Sequence, residues 1–217
     1  MAYRIFLVED HPVMQEGYAR LLNREPDFEL CGQAESGTDA LQAIPRADPD
    51  LAIVDLSIPG MNGLDLLKQL RVIMPDLPAL VVTAHSEALY AERALRAGAR
   101  GFLNKDAPPS EVLEAIRAVL RGERYLSAGL RERLAQQTGT KEASPPSPLE
   151  VLSDRELEVF EYFGRGFSTT QTAEALFISP KTVETHRANI KRKLGLERAN
   201  EVIQRATLWV ESLGAAE

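Results

Sequence analysis

Residues 3 to 121 alternate short apolar runs with longer stretches of helical period. The five runs are "YRIFLVE", "FELCGQA", "LAIVDL", "ALVVTA" and "GFLN", and stretches such as "PVMQEGYARLL" and "GLDLLKQLRVI" lie between them. Parallel strands need crossover connections, and helices between strands supply them. The alternation therefore predicts a doubly wound α/β domain over residues 1–122, with a five-stranded parallel sheet and helices on both faces.

The remainder of the chain has a different pattern. Residues 123–148 lose the strand signal and end in "TGTKEASPPSPLE", whose Pro, Ser and Gly predict an exposed linker. Residues 149–217 carry helix start signals: "SDRE" and "STTQ" are capping boxes, and "SP" places an N-cap serine before a proline. The turn "FIS" has the length that joins the helices of a helix-turn-helix. We expect an all-α helix-turn-helix domain of four helices.

Length and composition fit this two-domain division. The chain has 217 residues, of which 44% are hydrophobic and 26% are charged, as in ordinary globular proteins. The opening "MAYRIFLVED" lacks the layout of a secretory signal, and no apolar run reaches the about 18 residues of a membrane-spanning helix. We therefore expect a cytoplasmic protein with no membrane partner.

Polar side chains follow the predicted strands at the points where the strands end. They are Glu9, Asp10, Asp55, Thr83 and Lys105. The ends of parallel strands converge on one edge of the sheet, where open α/β sheets bind ligands. Crowded carboxylates repel unless a cation lies among them, and hard oxygen ligands suit Mg²⁺. Asp55 is then a candidate nucleophile for phosphoryl transfer, with Mg²⁺ and Lys105 available to balance added negative charge.

These residues resemble the receiver domain of two-component response regulators. The resemblance rests on Glu9 and Asp10, on Asp55 in "DLSIPGMNG", on Thr83 followed by Ala84, and on Lys105 preceded by Phe102. The opening "VEDHPVMQEG" and the C-terminal "LSDRELEVFEYFGRGFSTTQTAEALFISPKTVETHRANIKRKLGL" are similar to the NarL/FixJ branch, whose output domain is a LuxR-type helix-turn-helix. The resemblance covers nearly the whole chain and implies a flavodoxin-like receiver fold.

The resemblance implies a role for each receiver residue. Asp55 accepts a phosphoryl group from the phosphohistidine of a sensor histidine kinase. Asp10, Asp55 and the backbone carbonyl of Ser57 hold Mg²⁺, and Glu9 acts on the metal through water. Lys105 and the Thr83 hydroxyl bind the phosphoryl oxygens. Movement of Thr83 frees space that Phe102 fills by turning inward, and this movement is the switch.

Structural interpretations stand beside these roles. Glu9 or Asp10 alone could cap a helix, Thr83 could be only a strand residue, and Phe102 could be both core and switch. Ser57 and His85 follow Asp55 and Thr83 by two residues. We expect both to border the path of hydrolytic water, with His85 exposed beside the cleft.

The third helix of the C-terminal domain is the candidate DNA-recognition helix. A buried stripe of Val183, Ile190 and Leu194 leaves the opposite face for the major groove. Between residues 181 and 198 the net charge is +4, whereas the whole chain carries −7, so DNA affinity must come from a local patch. The candidate DNA-binding residues are Lys181, Thr182, Glu184, Thr185, Ala188, Asn189, Arg192 and Lys193.

Glu184 is the exception on this helix because its charge opposes DNA. Two interpretations remain open. Its carboxylate could accept from cytosine N4 and act as a specificity device. Alternatively, it is a surface carboxylate that pairs with Arg187 or Lys181.

The fourth helix, about residues 199–213, carries an apolar stripe that is wide for one small domain. The stripe contains Val202, Ile203, Ala206, Trp209, Val210 and Leu213. In the family the corresponding helix pairs with a second subunit, so we expect Val202, Ala206, Trp209 and Val210 to form a dimer interface. A two-fold homodimer, formed on phosphorylation, requires inverted DNA half-sites. The alternative is that Trp209 only closes the core.

The leading functional hypothesis is a phosphorylation-dependent, DNA-binding transcription regulator that is not an enzyme. Its expected partners are a sensor histidine kinase, DNA and a second copy of the chain, with RNA polymerase as a further candidate. The main alternative is a Mg²⁺-dependent phosphatase that acts through an aspartyl phosphate. A constitutive regulator with a degenerate receiver is a third hypothesis, but all five receiver positions are filled.

Overall fold

The computed structural model describes residues 2–136 and 148–214, which form two compact units. The Pro/Ser-rich part of the predicted linker, residues 137–147, lies outside the described residues. None of the helices in the two described ranges is both long and apolar enough to cross a membrane.

The first unit is built on one parallel sheet of five strands in the order β2-β1-β3-β4-β5. The strands are β1 (Tyr3–Val8), β2 (Phe28–Ala34), β3 (Leu51–Val54), β4 (Ala79–Thr83) and β5 (Gly101–Asn104). All residues of β3 and β4 are buried because helices cover both faces of the sheet. The predicted doubly wound, flavodoxin-like architecture is confirmed, and the strand order reverses beside β1, where such sheets bind ligands.

Five helices connect the strands or follow the last one. They are α1 (Pro12–Leu22), α2 (Gly37–Ala47), α3 (Gly63–Ile73), α4 (Glu87–Ala97) and α5 (Pro109–Leu120). Each begins within one residue of the start of a helical stretch recognised in the sequence, since the apolar period of such stretches is a local property.

The segment after α5 belongs to the first unit, although the sequence placed it in the linker. Tyr125 forms an isolated parallel bridge with Gly101, and a sixth helix, α6 (Ala128–Gln136), follows. Leu126 and Leu130 are buried. These residues have no strand or core pattern of their own, and their order comes from tertiary contacts that composition does not reveal.

The second unit is entirely helical. Its helices are α7 (Pro148–Val151), α8 (Asp154–Gly164), α9 (Thr169–Ala175), α10 (Pro180–Lys193) and α11 (Ala199–Gly214). The two capping boxes at Ser153 and Ser168 are present, and Ser179 caps α10 by accepting from the N–H of Thr182. The four predicted helices are α8 to α11, and the single turn α7 is an addition.

Candidate phosphorylation site and DNA interface

The residues predicted at the strand ends meet in one cleft. Glu9 and Asp55 are almost fully buried, and the side chain of Lys105 reaches between them. Its Nζ lies 2.8 Å from Asp55 Oδ2 and 2.6 Å from Glu9 Oε2. Thr83 is fully buried at the end of β4, and its carbonyl oxygen accepts from the N–H of Lys105 at 2.9 Å. The parallel sheet therefore assembles the cluster as the strand pattern predicted.

The two carboxylates determine the charge state of Lys105. Burial disfavours the ammonium form, but attraction and hydrogen bonds to Asp55 and Glu9 outweigh burial and raise the pKa of Lys105 above its ordinary value. The lysine is therefore a fixed positive charge at neutral pH. It lies where extra negative charge on Asp55 would need a counterion.

The acidic cluster fits a hard divalent cation. Ligand atoms of Glu9, Asp10, His11 and Asp55 all lie within 4.8 Å of one another. Asp10 Oδ1 is buried and accepts no hydrogen bond; His11 Nδ1 lies 2.9 Å away but has hydrogen-bond geometry toward Glu9 Oε1 instead. A buried carboxylate oxygen without a donor requires a compensating charge. Oxygen donors of this kind suit Mg²⁺.

The loop after β3 holds Asp55 through its backbone. The N–H of Ser57 donates to Asp55 Oδ1 at 3.3 Å, and the N–H of Gly63 donates to the carbonyl of Leu56 at 3.1 Å. A Cβ on Gly63 would lie 2.2 Å from the carbonyl oxygen of Asp55, so any other residue here would force the backbone of the loop to shift. Asn62 caps α3 through its side chain, as expected for a turn residue.

His85 does not lie exposed beside the cleft, and that expectation is wrong. It is 6% exposed, its Nε2 is hydrogen-bonded to Ser57 Oγ at 2.8 Å, and its ring lies 4.3 Å from the ring of buried Tyr90. The position two residues past a strand end suggested a loop side chain in water. Tyr90 on α4 and Ser57, which lies 28 residues away in sequence, are its partners instead, and residue spacing gives no signal for the contact with Ser57.

The candidate switch residue Phe102 is 1% exposed. Its ring is therefore already buried while Asp55 pairs with Lys105. The N–H of His85 lies 3.4 Å from Thr83 Oγ1, which links the candidate phosphate-binding hydroxyl to the loop before α4.

The exposed face of α10 carries most of the predicted DNA-binding residues. Lys181, Thr185, Ala188 and Arg192 are exposed, and Thr182 and Asn189 are partly exposed. Val183 and Ile190 are fully buried on the opposite side, as predicted, whereas Leu194 is only partly buried. The buried stripe thus orients the polar face of α10 toward solvent.

Two predicted DNA-binding residues are engaged within the unit. Lys193 Nζ pairs with Glu156 Oε2 at 2.6 Å, so its charge is balanced by the capping box of α8. This contact argues against Lys193 as a DNA contact. Glu184 pairs with Arg187 at 2.7 Å and accepts from Thr169 Oγ1 at 3.0 Å. The second of its two interpretations, a surface carboxylate paired with Arg187, matches this geometry.

Part of the predicted dimer interface lies in the core of the unit. Val202 and Ala206 are fully buried where α11 packs against α8, so neither is available to a second subunit and this part of the prediction is wrong. The two helices can approach closely because Gly164 has no side chain. An added Cβ there would lie only 2.6 Å from the carbonyl oxygen of Ala206. An apolar stripe in a single sequence does not reveal whether a helix of the same domain or a second subunit covers it.

The outer side of α11 has a different set of apolar groups. Trp209 and Val210 are partly exposed, with the ring of Trp209 lying 5.4 Å from that of Phe160. Ile203 and Leu208 are exposed, and the side chain of Leu213 lies outside the described residues. The partly exposed and exposed residues are the ones that a second subunit could contact.

Comparison with known families matches both units. Residues 5–117 match the response regulator receiver domain, and residues 150–206 match the bacterial regulatory proteins of the luxR family. The oxygen regulatory protein NreC of Staphylococcus carnosus is 34% identical over 208 residues, covering 94% of this chain and 96% of its own. NreC of Staphylococcus aureus matches with the same identity and coverage.

Solved structures of full-length regulators are also similar. The response regulator ChrA of a heme-sensing two-component system is 31% identical, with a TM-score of 0.52, over 96% of this chain and 98% of its own. RcsB of Salmonella enterica serovar Typhimurium, bound to a promoter with a phosphomimetic, is 25% identical, with a TM-score of 0.64, over 95% of this chain and 99% of its own. These matches do not favour the phosphatase hypothesis. The chain belongs to the NarL/FixJ family of two-component response regulators, with a receiver domain and a LuxR-type DNA-binding domain.

Proposed function

We propose that a sensor histidine kinase phosphorylates Asp55 and that this modification controls dimerisation and sequence-specific DNA binding. The observation that carries the proposal is the bridge from Lys105 to Asp55 and Glu9 in a cleft at the sheet edge. Lys105 places a positive charge 2.8 Å from Asp55 Oδ2. This charge is a counterion for the carboxylate and for the negative charge that a phosphoryl group would add.

The transfer step uses groups that this chain supplies. An oxygen of Asp55 forms a bond to phosphorus as the bond from phosphorus to the kinase histidine breaks, and the electron pair of that bond returns to the imidazole nitrogen. Lys105 then moves from the carboxylate to the phosphoryl oxygens, and the Thr83 hydroxyl donates to another of them. Both groups lie at strand ends and need only local movement.

Asp10, Asp55 and the Ser57 carbonyl are the residues that would hold Mg²⁺, with Glu9 acting through water. When bound, the ion supplies positive charge that offsets the charge of the transferring phosphoryl oxygens. Asp10 Oδ1, which is buried and accepts no hydrogen bond, supports this assignment. Lys105 and a bound Mg²⁺ would both offset the negative charge of this acidic cluster.

The exposed face of α10 is the surface that we assign to the major groove. Lys181, Thr185, Ala188, Asn189 and Arg192 lie along it, with Thr182 at its first turn. Structures of RcsB include dimers bound to DNA, and that protein is 25% identical to this chain. A homodimer of this chain would place two α10 helices on inverted half-sites, with Trp209 and Val210 of α11 at the contact.

The proposed role in transcription implies a further partner and a location. We infer that RNA polymerase is contacted at target promoters and that the protein acts in the cytoplasm, where the DNA lies. We infer that the segment predicted as the linker, residues 123–148, connects the two domains. An aspartyl phosphate that hydrolyses slowly makes the protein a phosphorylation switch and not a phosphatase with turnover.

The experiment that tests this function is labelling by acetyl phosphate with Mg²⁺. Wild-type protein should acquire a hydroxylamine-sensitive acyl phosphate and bind genomic DNA fragments more tightly, whereas Asp55→Asn should do neither. Asp106→Asn is the matched control, because Asp106 is exposed next to Lys105 and the substitution removes the same charge. Equal labelling of wild type and Asp55→Asn would place the acceptor elsewhere.

A further inference from the structure

The first residues of the predicted linker extend the receiver sheet beyond β5. The carbonyl oxygen of Tyr125 accepts from the N–H of Phe102 at 3.0 Å, and its N–H donates to the carbonyl oxygen of Arg100 at 3.0 Å. These two bonds form the parallel bridge between Tyr125 and Gly101. The segment that leads toward the DNA-binding domain is therefore bonded directly to the backbone of the candidate switch residue.

Gly101 makes this close approach possible. A Cβ at this position would lie 3.2 Å from Cβ of Tyr125 and 2.7 Å from Cδ1 of Leu80. Gly101 is the first residue of β5, and a glycine in a strand often marks such a close approach of another backbone. The bridge is thus built into the sequence of β5.

A second contact ties the same segment to the start of α4. Ser127 Oγ donates to Glu87 Oε2 at 2.7 Å and accepts from the N–H of Leu130 at 3.1 Å, which caps α6. Leu126 and Leu130 are 8% and 3% exposed. We refer to residues 125–130 as the linker clamp.

Glu87 is the first residue of α4, and it directly follows the loop that begins after Thr83 and carries His85. The N–H of His85 lies 3.4 Å from Thr83 Oγ1, and its ring packs on Tyr90 of α4. Movement of Thr83 toward a phosphoryl group would therefore pull on the first turn of α4. That turn carries the acceptor for Ser127.

Resting on the proposed phosphorylation of Asp55, we propose that phosphorylation releases the linker clamp. Displacement of Glu87 breaks its bond to Ser127, and rearrangement at Phe102 breaks the bond to Tyr125. Release of the clamp frees residues 123–127, which precede α6, to extend by up to roughly 17 Å. A longer connection lets the DNA-binding domains of two chains reach a shared pair of half-sites.

Hydrogen exchange on the full-length chain tests the proposal. Addition of beryllium fluoride with Mg²⁺ should speed exchange of the amides of Phe102, Tyr125 and Leu130, and leave core amides of β1 unchanged. The expected factor is about tenfold, which is what the loss of one hydrogen bond of average or somewhat greater strength gives. Unchanged exchange at these three amides, with Asp55 occupied, would overturn the clamp.

Two variants test the linker clamp independently of the proposed function. Glu87→Ala removes the acceptor of Ser127 and should give fast exchange and raised DNA affinity without phosphorylation. Glu92→Ala is the control, since Glu92 lies on the same helix and pairs only loosely with Arg96, at 3.7 Å. Both variants should be labelled on Asp55 like wild type.

The outcomes are distinguishable. If wild type is not labelled on Asp55, the proposed function itself fails. If wild type is labelled and gains DNA affinity, but Glu87→Ala shows slow exchange and the full gain, the linker clamp is refuted and the function stands. Ser127→Ala should repeat the Glu87→Ala result in DNA affinity and in the exchange of Phe102 and Tyr125. Leu130 is left out of this comparison because Ser127→Ala also removes the acceptor of its N–H. A difference between the two variants in the exchange of Phe102 would contradict the role of the bond between Ser127 and Glu87.

Discussion

Ser57 and His85 are bonded to each other across the loops that flank Asp55. The distance from Ser57 Oγ to His85 Nε2 is 2.8 Å, and the histidine ring is held against Tyr90. The loop after β3 and the loop after β4 are therefore joined by side chains as well as by the sheet. The N–H of Ser57 also donates to Asp55 Oδ1 and the N–H of His85 donates to Thr83 Oγ1, so the joined pair borders the candidate phosphoryl site.

The first prediction concerns the lifetime of phosphorylated Asp55. Ser57→Ala and His85→Ala should each speed hydrolysis by about fivefold, which corresponds to one hydrogen bond of about 1 kcal/mol that no longer holds the two loops together. Because one bond is lost in either case, the double variant should hydrolyse no faster than the single variants. The measurement is decay of the labelled protein after removal of acetyl phosphate. If the hydrolysis rate of the double variant rose by the product of the two single-variant factors, Ser57 and His85 would act independently of each other.

The second prediction concerns Gly63. Gly63→Ala should lower the free energy of unfolding by about 1–3 kcal/mol, because the added Cβ would collide with backbone 2.2 Å away in the phosphorylation loop. It should also slow labelling of Asp55. The matched control is Gly17→Ala in the middle of α1, where nothing lies within 4 Å of the added Cβ. That variant should gain about 0.5–1 kcal/mol, since alanine favours helices. Equal stability of the two variants would show that the loop rearranges to accommodate the added Cβ of Gly63→Ala.

The sequence could predict the sheet and its site because both follow from local patterns. Strands buried on both faces are continuous apolar runs, and residues that end parallel strands must meet at one edge. Asp55 and Lys105 are 50 residues apart, yet their positions at strand ends were enough to bring them together. Helix caps such as Ser153 are predictable for the same reason, since their partners lie three residues away.

Features that depend on a distant partner could not be predicted. The position of His85 depends on its bond to Ser57, 28 residues away, and order in the segment around Tyr125 depends on a glycine in β5. The apolar stripe of α11 was visible, but the choice between core and interface depended on how closely α8 approaches. Gly164 fixes that approach and buries Ala206. These features are determined by how side chains and helices pack, and the apolar periodicity of the sequence carries no information about that packing.

The third prediction concerns Glu184. Glu184→Gln should free Arg187 from its 2.7 Å pair and allow the guanidinium to contact a phosphate. Binding to random DNA should tighten, and the log-log salt slope should steepen by about 0.9 for each added contact. Glu211→Gln on exposed α11 removes the same charge and should leave the slope unchanged. Fluorescence anisotropy at several salt concentrations measures the slope. An unchanged slope for Glu184→Gln would place residue 184 away from the duplex.

The last prediction concerns His186, the one histidine in the DNA-binding domain, because the other two are His11 and His85. Its Nδ1 is buried and accepts no hydrogen bond, and burial, with the charge of Arg155, lowers its pKa below 6.5. The unfolded chain then binds a proton that the folded domain excludes, so stability should fall as the pH drops below 6.5, by at most about 1.4 kcal/mol per pH unit. Trp209, the sole tryptophan, packs on Phe160 and reports unfolding of this domain.

Denaturant titrations at pH 7.5 and 5.5, followed by Trp209 fluorescence, measure the difference. His186→Gln carries no titrating group and should flatten the dependence in this window. The pair of Glu156 with Lys193 does not interfere, because the pKa of Glu156 is lowered below 4.5 and its contribution is lost only as the pH falls through that lower value. A dependence that persists in His186→Gln would mean that the imidazole is protonated equally in the folded and unfolded states, and that another group destabilises the domain in acid.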